Sequence, residues 1–133
     1  MDIIKYRENK SKNILIVENE QVLSKIYFEI LSSAGYKVLI AKDGDSALNI
    51  YKNNKIHLIL LDILLPDISG LEILQRLRGE GESVKIIMLT NIGNDKIKAE
   101  CMSFGISAYM EKSDYTPDQI LKAVEDVLLS IAA

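Results

Sequence analysis

The chain alternates short apolar runs with longer stretches in which apolar residues recur every three or four positions. There are five such runs, and four of them are nearly continuous rather than alternating with polar residues. Continuous runs of this length are typical of strands that are buried on both faces of a parallel sheet. The predicted strands cover residues 14–17, 37–41, 58–61, 86–89 and 107–110.

The intervening stretches predict five helices, because their apolar residues fall on one helical face. Gly35 and Gly105 stand where two of these helices should end, and Thr116 and Pro117 suit the start of the last one. The predicted helices cover residues 20–34, 43–53, 69–78, 93–104 and 116–131, with Ile131 the last apolar residue of its stripe. Five strand–helix repeats with right-handed crossovers predict an α/β fold, a five-stranded parallel sheet with helices on both faces.

Length and composition indicate one globular domain. The 133 residues are 48% apolar and carry a net charge of only −3, which argues against disorder and against a nucleic-acid-binding surface. Residues 1–12 are polar and are interpreted as a leader, with the domain covering 13–133. The single cysteine, Cys101, excludes a disulfide within the chain. Without a signal-like or membrane-length apolar segment, we expect a cytoplasmic protein with no direct nucleic-acid or membrane contact.

Four of the five predicted strands are followed by polar side chains that could form one chemical site. Glu18 and Asn19 come directly after the first strand, Asp62 after the third, Thr90 after the fourth and Lys112 after the fifth. Ligands of open parallel sheets bind beyond the carboxyl ends of the strands. We therefore expect these side chains to converge at one edge of the sheet.

The residue types at that edge predict phosphoryl-transfer chemistry. Asp62 ends a buried apolar strand, where a carboxylate is costly unless a cation pairs with it. Mg²⁺ prefers oxygen ligands, and Lys112 can act as a point charge for a phosphoryl group while Thr90 donates a hydrogen bond. Asp62 would then be the nucleophile that forms an aspartyl phosphate, with catalysis mainly by positioning and charge neutralisation.

The same residues give a resemblance to a known family. The segments that carry it are Ile14–Glu18, the Asp-x-x-x-Pro-Asp-x-x-Gly block at 62–70, Met88–Thr90 and Tyr109–Lys112. In this order and spacing the chain resembles the receiver domain of two-component response regulators, of the chemotaxis-regulator-like kind, over residues 13 to 131. The block at 62–70 is the most specific of these segments.

The resemblance implies a role for each matching residue. Asp62 corresponds to the phosphoacceptor, Lys112 to the lysine that contacts the phosphoryl group, and Thr90 to the switch hydroxyl. Tyr109 corresponds to the aromatic residue whose rotamer follows that hydroxyl, and Leu64 would offer its backbone carbonyl to the metal. The resemblance also implies a flavodoxin-like (βα)₅ sandwich with strand order 2-1-3-4-5.

Two positions depart from the family pattern. Receivers usually have two adjacent acids after the first strand, whereas this chain has Glu18 followed by Asn19. An Mg²⁺ site formed by Glu18, Asn19, Asp62 and the Leu64 carbonyl would lack one negative charge, so we expect weaker metal binding. Ser113 follows the lysine where proline is usual, and because a non-proline cis peptide costs about 2.5–4 kcal/mol we expect a trans bond there.

The expected function is that of a phosphorylatable receiver. A histidine kinase or histidine phosphotransfer protein would phosphorylate Asp62. The surface of the fourth helix, fifth strand and fifth helix of the predicted fold would then switch, and it could also form a homodimer. Beyond slow self-catalysed phosphotransfer and dephosphorylation, no enzymatic activity is expected.

The alternative is a phosphorylation-independent pseudo-receiver that acts by protein contact, which Asn19 supports. Dinucleotide-binding and flavin-binding enzymes are disfavoured because the turn after the first strand is acidic and lacks glycine.

Overall fold

The computed structural model describes residues 2–129 and contains the five predicted strand–helix repeats, preceded by one additional helix. The strands are β1 Asn13–Val17, β2 Lys37–Ala41, β3 Leu58–Leu61, β4 Lys85–Thr90 and β5 Ala108–Glu111. The helices are α1 Ile3–Asn9, α2 Gln21–Ser33, α3 Gly44–Asn53, α4 Gly70–Gly79, α5 Asp95–Ser103 and α6 Pro117–Leu129. Ile131, which the sequence assigned to the last apolar stripe, lies outside the described residues.

All five strands are parallel and form one sheet in the order β2-β1-β3-β4-β5. Strand β1 pairs with β2 on one side and with β3 on the other, so that Val17 lies opposite both Ala41 and Leu61. The prediction of a parallel sheet and the implied strand order are both confirmed. The register brings the carboxyl ends of β1 and β3 level with each other.

The sheet separates two apolar cores. Alternate strand residues such as Ile14 and Leu60 face one core with α2 and α6, while Leu15 and Leu61 face the other with α3, α4 and α5. Both faces of β1 and β3 are therefore buried, which explains why these strands are continuously apolar in the sequence. The α/β sandwich predicted from the pattern is confirmed.

Side-chain caps set where several helices begin. The Asp43 carboxylate accepts the backbone N–H of Ser46 at 2.8 Å, and the Ser69 hydroxyl accepts that of Glu72 at 3.1 Å. Such oxygens satisfy N–H groups that have no partner inside the first helical turn. Helix α2 is followed by Gly35, which has a φ of +107°, a left-handed conformation that suits glycine at a helix C-terminus.

Residues 3–9 form helix α1, which the sequence did not predict. Its start is capped by Asp2, whose Oδ1 accepts the backbone N–H of Ile4 at 3.0 Å. Asn9 is buried and its amide donates to the Ala34 carbonyl at 2.8 Å. The Lys5 ammonium lies 3.1 Å from the Glu125 carboxylate of α6. Part of the segment interpreted as a leader is therefore a helix docked on α2 and α6.

None of the helices within residues 2–129 combines the length and the apolar character that crossing a membrane would require.

Gly70 has no room for a side chain, since an added Cβ would lie 2.0 Å from the Asp62 carbonyl oxygen. We predict that Gly70→Ala lowers the free energy of unfolding by about 1–3 kcal/mol, as overpacking commonly does. Gly79 of the same helix has no atom within 4 Å of such a Cβ, so Gly79→Ala should be neutral or stabilising by about 0.5–1 kcal/mol. Urea unfolding of both variants tests this. Equal effects of the two substitutions would contradict it.

Candidate functional site

The polar residues that follow the strands meet at the carboxyl edge of the sheet. The backbone N–H of Asp62 donates to the Val17 carbonyl at 3.1 Å, which continues the pairing of β1 and β3 to the first residue after β3. Glu18 is held similarly by its N–H, which donates to the Ala41 carbonyl at 3.0 Å. Thr90 pairs with Glu111, so Lys112 leaves the sheet just beyond the end of β4.

Lys112 bridges the two carboxylates at this edge. Its Nζ lies 2.7 Å from Asp62 Oδ2 and also forms an ion pair with Glu18 Oε1. The three side chains are only 5–8% exposed. Removing one partner from a buried ion pair leaves an uncompensated charge, so the three groups depend on one another. The structure thus brings together three of the residues that the sequence placed at this edge.

Burial and ion pairing act in opposite directions on these groups. Burial raises the pKa of Glu18, and the hydrogen bonds from Lys112 and the Glu20 N–H offset this only in part. Burial alone would lower the pKa of Lys112, but hydrogen bonds to Asp62 and Glu18 reverse the effect and raise it. Lys112 is therefore held as a cation, while Glu18 carries its negative charge at a cost to the folded state.

Thr90 and Tyr109 are connected through the main chain of Ile92. Thr90 is fully buried, and its Oγ1 accepts the Ile92 N–H at 3.4 Å. The Tyr109 hydroxyl donates a hydrogen bond to the Ile92 carbonyl. The Lys98 ammonium lies 5.9 Å from the centroid of the Tyr109 ring, at the limit of a cation–π contact. The loop after β4 therefore contacts both of the residues assigned to the switch.

The loop after β3 begins with a bond to the candidate phosphoacceptor itself. The Leu64 N–H donates to Asp62 Oδ1 at 3.2 Å, and the Gly70 N–H donates to the Ile63 carbonyl at 2.9 Å. The two oxygens of Asp62 thus have different partners, one being the Leu64 amide and the other Lys112. The carboxylate is therefore oriented both by its own loop and by the residue that follows β5.

Two contacts at this edge were not predicted. Asp67 is exposed but accepts the backbone N–H groups of both Gly44 and Asp45 at 2.8 Å. The Ser113 N–H, which a proline would lack, donates to the Asn91 side chain at 3.2 Å. No cis peptide bond occurs within residues 2–129, so the expected trans bond before Ser113 is confirmed.

The oxygen donors at this edge suit a hard divalent cation. Glu18 and Asp62 supply carboxylates, while Asn19 is exposed on the adjacent turn and offers a neutral amide oxygen. Mg²⁺ is commonly bound by one or two carboxylates together with phosphate oxygens and water. No group of three or more histidine, cysteine or acidic side chains within the described part of the chain could hold a metal by itself. The residues therefore fit Mg²⁺ in donor type, with two carboxylates.

His57 and Cys101 lie away from this edge. His57 Nδ1 accepts the Asn13 N–H at 2.9 Å at the amino end of β1, and Cys101 is fully buried in the core formed with α5. Both residues are structural, since His57 fixes the start of β1 and Cys101 packs in the core.

Comparison with known proteins identifies similar sequences. The family model of the response regulator receiver domain matches residues 14–125. The probable transcriptional regulator ycf27 of Cyanophora paradoxa is 31% identical over 121 residues, which cover 91% of this chain and 50% of that protein. The chain spans about half the length of the curated relatives it matches.

Solved structures show the same fold. A CheY-like response regulator receiver domain protein from Methanospirillum hungatei JF-1 has a TM-score of 0.84 and 29% identity, covering 90% of this chain and 94% of that one. A chain of the CheX-CheY-BeF3-Mg+2 complex from Borrelia burgdorferi has a TM-score of 0.83 and 25% identity, covering 92% and 93%. These similarities agree with the family resemblance inferred from the motifs.

The raised pKa of Glu18 predicts a particular pH dependence of stability. An acid whose pKa is higher in the folded state holds its proton more tightly there, so stability falls as pH rises through the raised value. Between the ordinary value of 4.5 and the raised pKa, the wild type should lose stability relative to Glu18→Gln. Chemical unfolding across this range measures the difference. Glu20→Gln, which removes an exposed acid from the same turn, controls for net charge. Parallel pH profiles of wild type and Glu18→Gln would refute the prediction.

Proposed function

The chain belongs to the family of response regulator receiver domains, and we propose that it accepts a phosphoryl group on Asp62 from a histidine kinase or histidine phosphotransfer protein. The observation that carries this proposal is the contact of Lys112 with both Asp62 and Glu18 at the carboxyl edge of the sheet. The lysine places a positive charge 2.7 Å from the acceptor carboxylate. An incoming phosphoryl group requires such charge beside its acceptor.

In the proposed reaction, a carboxylate oxygen of Asp62 attacks the phosphorus atom of a phosphohistidine. The new oxygen–phosphorus bond forms as the phosphorus–nitrogen bond breaks, and the electron pair of that bond remains on the imidazole. Lys112 neutralises negative charge on the phosphoryl oxygens, while the Leu64 N–H and the Asp62 backbone hold the acceptor in place. Catalysis is then mainly positioning and electrostatic stabilisation.

Glu18, Asn19, Asp62 and the Leu64 carbonyl would hold Mg²⁺, which supplies further neutralisation of the phosphoryl oxygens when it is bound. The Borrelia burgdorferi complex named above contains BeF3 and Mg²⁺, which supports such a site in a protein of the same fold. Glu18 and Asp62 now share one lysine, so their two negative charges and its one positive charge sum to −1. A divalent cation would relieve the unfavourable burial of this remaining charge.

The proposed switch runs from Thr90 through the loop that follows β4. If the Thr90 hydroxyl turns toward the phosphoryl group, its bond from the Ile92 N–H is lost. Tyr109 would respond because its hydroxyl is bonded to the carbonyl of the same residue. The affected surface consists of α5, β5 and α6, which correspond to the fourth helix, fifth strand and fifth helix of the predicted fold. A homodimer through this surface is part of the proposal.

A second candidate function is that of a pseudo-receiver that acts without phosphorylation. Asn19 favours it, because an amide at this position removes one of the charges that would hold Mg²⁺. The two functions differ in whether phosphate is transferred, since both use the same fold. They are separated by intact-mass measurement after acetyl phosphate treatment with and without Mg²⁺.

We predict that wild-type protein gains one phosphoryl group from acetyl phosphate in the presence of Mg²⁺ and that Asp62→Asn gains none. The amide is not a nucleophile for this reaction, whereas the fold should persist because asparagine is nearly isosteric. Asp114→Asn, an exposed acid close to Lys112 in sequence, is the matched control and should be labelled normally. Labelling of Asp62→Asn at the wild-type level would exclude Asp62 as acceptor.

We predict that Asn19→Asp tightens Mg²⁺ binding by roughly threefold to tenfold, since the number of ligand charges sets the affinity of such sites. The reason is the recovery of a third carboxylate beside Glu18 and Asp62. Isothermal titration calorimetry with MgCl₂ measures the change, and Asn54→Asp at the exposed end of α3 controls for the added charge. An unchanged dissociation constant for Asn19→Asp would show that position 19 is not a ligand.

A further inference from the structure

The loop of residues 63–69 carries the Leu64 carbonyl, and its two ends are fixed by neighbouring elements. At its start, the Leu64 N–H is bonded to Asp62, and at its end Gly70 packs directly against the Asp62 backbone. Between these points the chain passes through Pro66, which has no N–H to donate. The middle of the loop therefore needs another source of order if the Leu64 carbonyl is to keep one direction.

Asp67 supplies a connection from the middle of the loop to α3. Its Oδ1 accepts the Gly44 N–H and its Oδ2 accepts the Asp45 N–H, both at 2.8 Å, across 23 and 22 residues of sequence. These are two of the first N–H groups of α3, which have no partner inside the helix. The N-cap residue Asp43 accepts the Ser46 N–H instead, so the two acids accept different N–H groups of the first turn of α3.

The packing beside these bonds is close. A Cβ on Gly44 would lie 2.3 Å from Ile68 Cγ1 and 3.2 Å from Asp67 Oδ1, so glycine alone lets the loop approach this near. The hydrogen bond donated by the Gly44 N–H lowers the pKa of Asp67, and the adjacent helix start favours its negative charge. Asp67 thus remains a charged acceptor at neutral pH, and its contact with α3 is both polar and steric.

We propose that Asp67 is a positioning residue that holds the loop of residues 63–69 against α3 and thereby directs the Leu64 carbonyl toward Glu18 and Asp62. The inference rests on the proposed function, because it assigns the Leu64 carbonyl to the Mg²⁺ site. Residues that orient a metal ligand affect metal affinity without touching the metal. Loss of the Asp67 bonds should therefore weaken Mg²⁺ binding although Glu18, Asp62 and Lys112 are unchanged.

The test compares Asp67→Ala with Asp43→Ala. Both variants remove one acid that caps the start of α3, and both change the net charge equally, but only Asp67 belongs to the loop. Thermal unfolding without metal should show a similar loss of stability in the two variants. Calorimetric titration with MgCl₂ should show a roughly 10–100-fold weaker affinity for Asp67→Ala, as is typical of residues that orient a metal ligand. Asp43→Ala should show little change.

Amide hydrogen exchange in metal-free protein gives a second, independent readout. Asp67→Ala should lose protection at the Leu64 N–H, and Asp67→Asn should retain part of it because its one oxygen can accept one of the two bonds. Equal effects of Asp67→Ala and Asp43→Ala on affinity and on loop exchange would overturn the proposal. A wild type that neither binds Mg²⁺ nor becomes phosphorylated would overturn the proposed function instead, while the exchange measurement would still report on the Asp67 contact.

Discussion

The edge of the sheet depends on the ammonium group of Lys112, which lies between the carboxylates of Glu18 and Asp62. Each acid ends an apolar strand and is almost fully buried, so neither would be tolerated there without a cation. One lysine serves both because β1 and β3 are adjacent and in register, and β5 delivers Lys112 to the same edge. The site is thus a consequence of strand order as much as of residue type.

The sheet beneath the edge and the loops around it are held by different interactions. Below the edge, both faces of the central strands are packed into apolar cores, which fixes the strand register. Around it, individual hydrogen bonds connect the loops, such as those from the Ser113 N–H to the Asn91 side chain and from the Tyr109 hydroxyl to the Ile92 carbonyl. In the proposed switch, a change in charge at Asp62 would rearrange these loops while the sheet keeps its register.

Sequence reasoning predicted the strands, the helices and the meeting of Glu18, Asp62 and Lys112, because each follows from local apolar patterns and from the geometry of parallel sheets. It missed α1, whose few apolar residues include exposed Ile3 and Ile4 and whose docking depends on Asn9. It also missed the bonds of Asp67 to α3, since no local pattern indicates a contact that spans more than twenty residues. Periodicity reports burial, whereas polar contacts between loops depend on the finished fold.

The two departures from the family pattern have different consequences at the edge. The N–H that Ser113 brings in place of proline is accepted by Asn91, so this substitution is accommodated by a neighbouring side chain. The change at position 19 removes a charge, and no described hydrogen bond within residues 2–129 engages the Asn19 side chain in compensation. Asparagine at position 19 keeps nearly the shape of an aspartate but lacks its charge. Whether the chain is a phosphoacceptor or a purely protein-binding module is therefore proposed to depend on the electrostatics of the turn after β1. The same argument makes Lys112 and any bound cation, rather than the fold, the groups on which the proposed phosphoryl transfer depends.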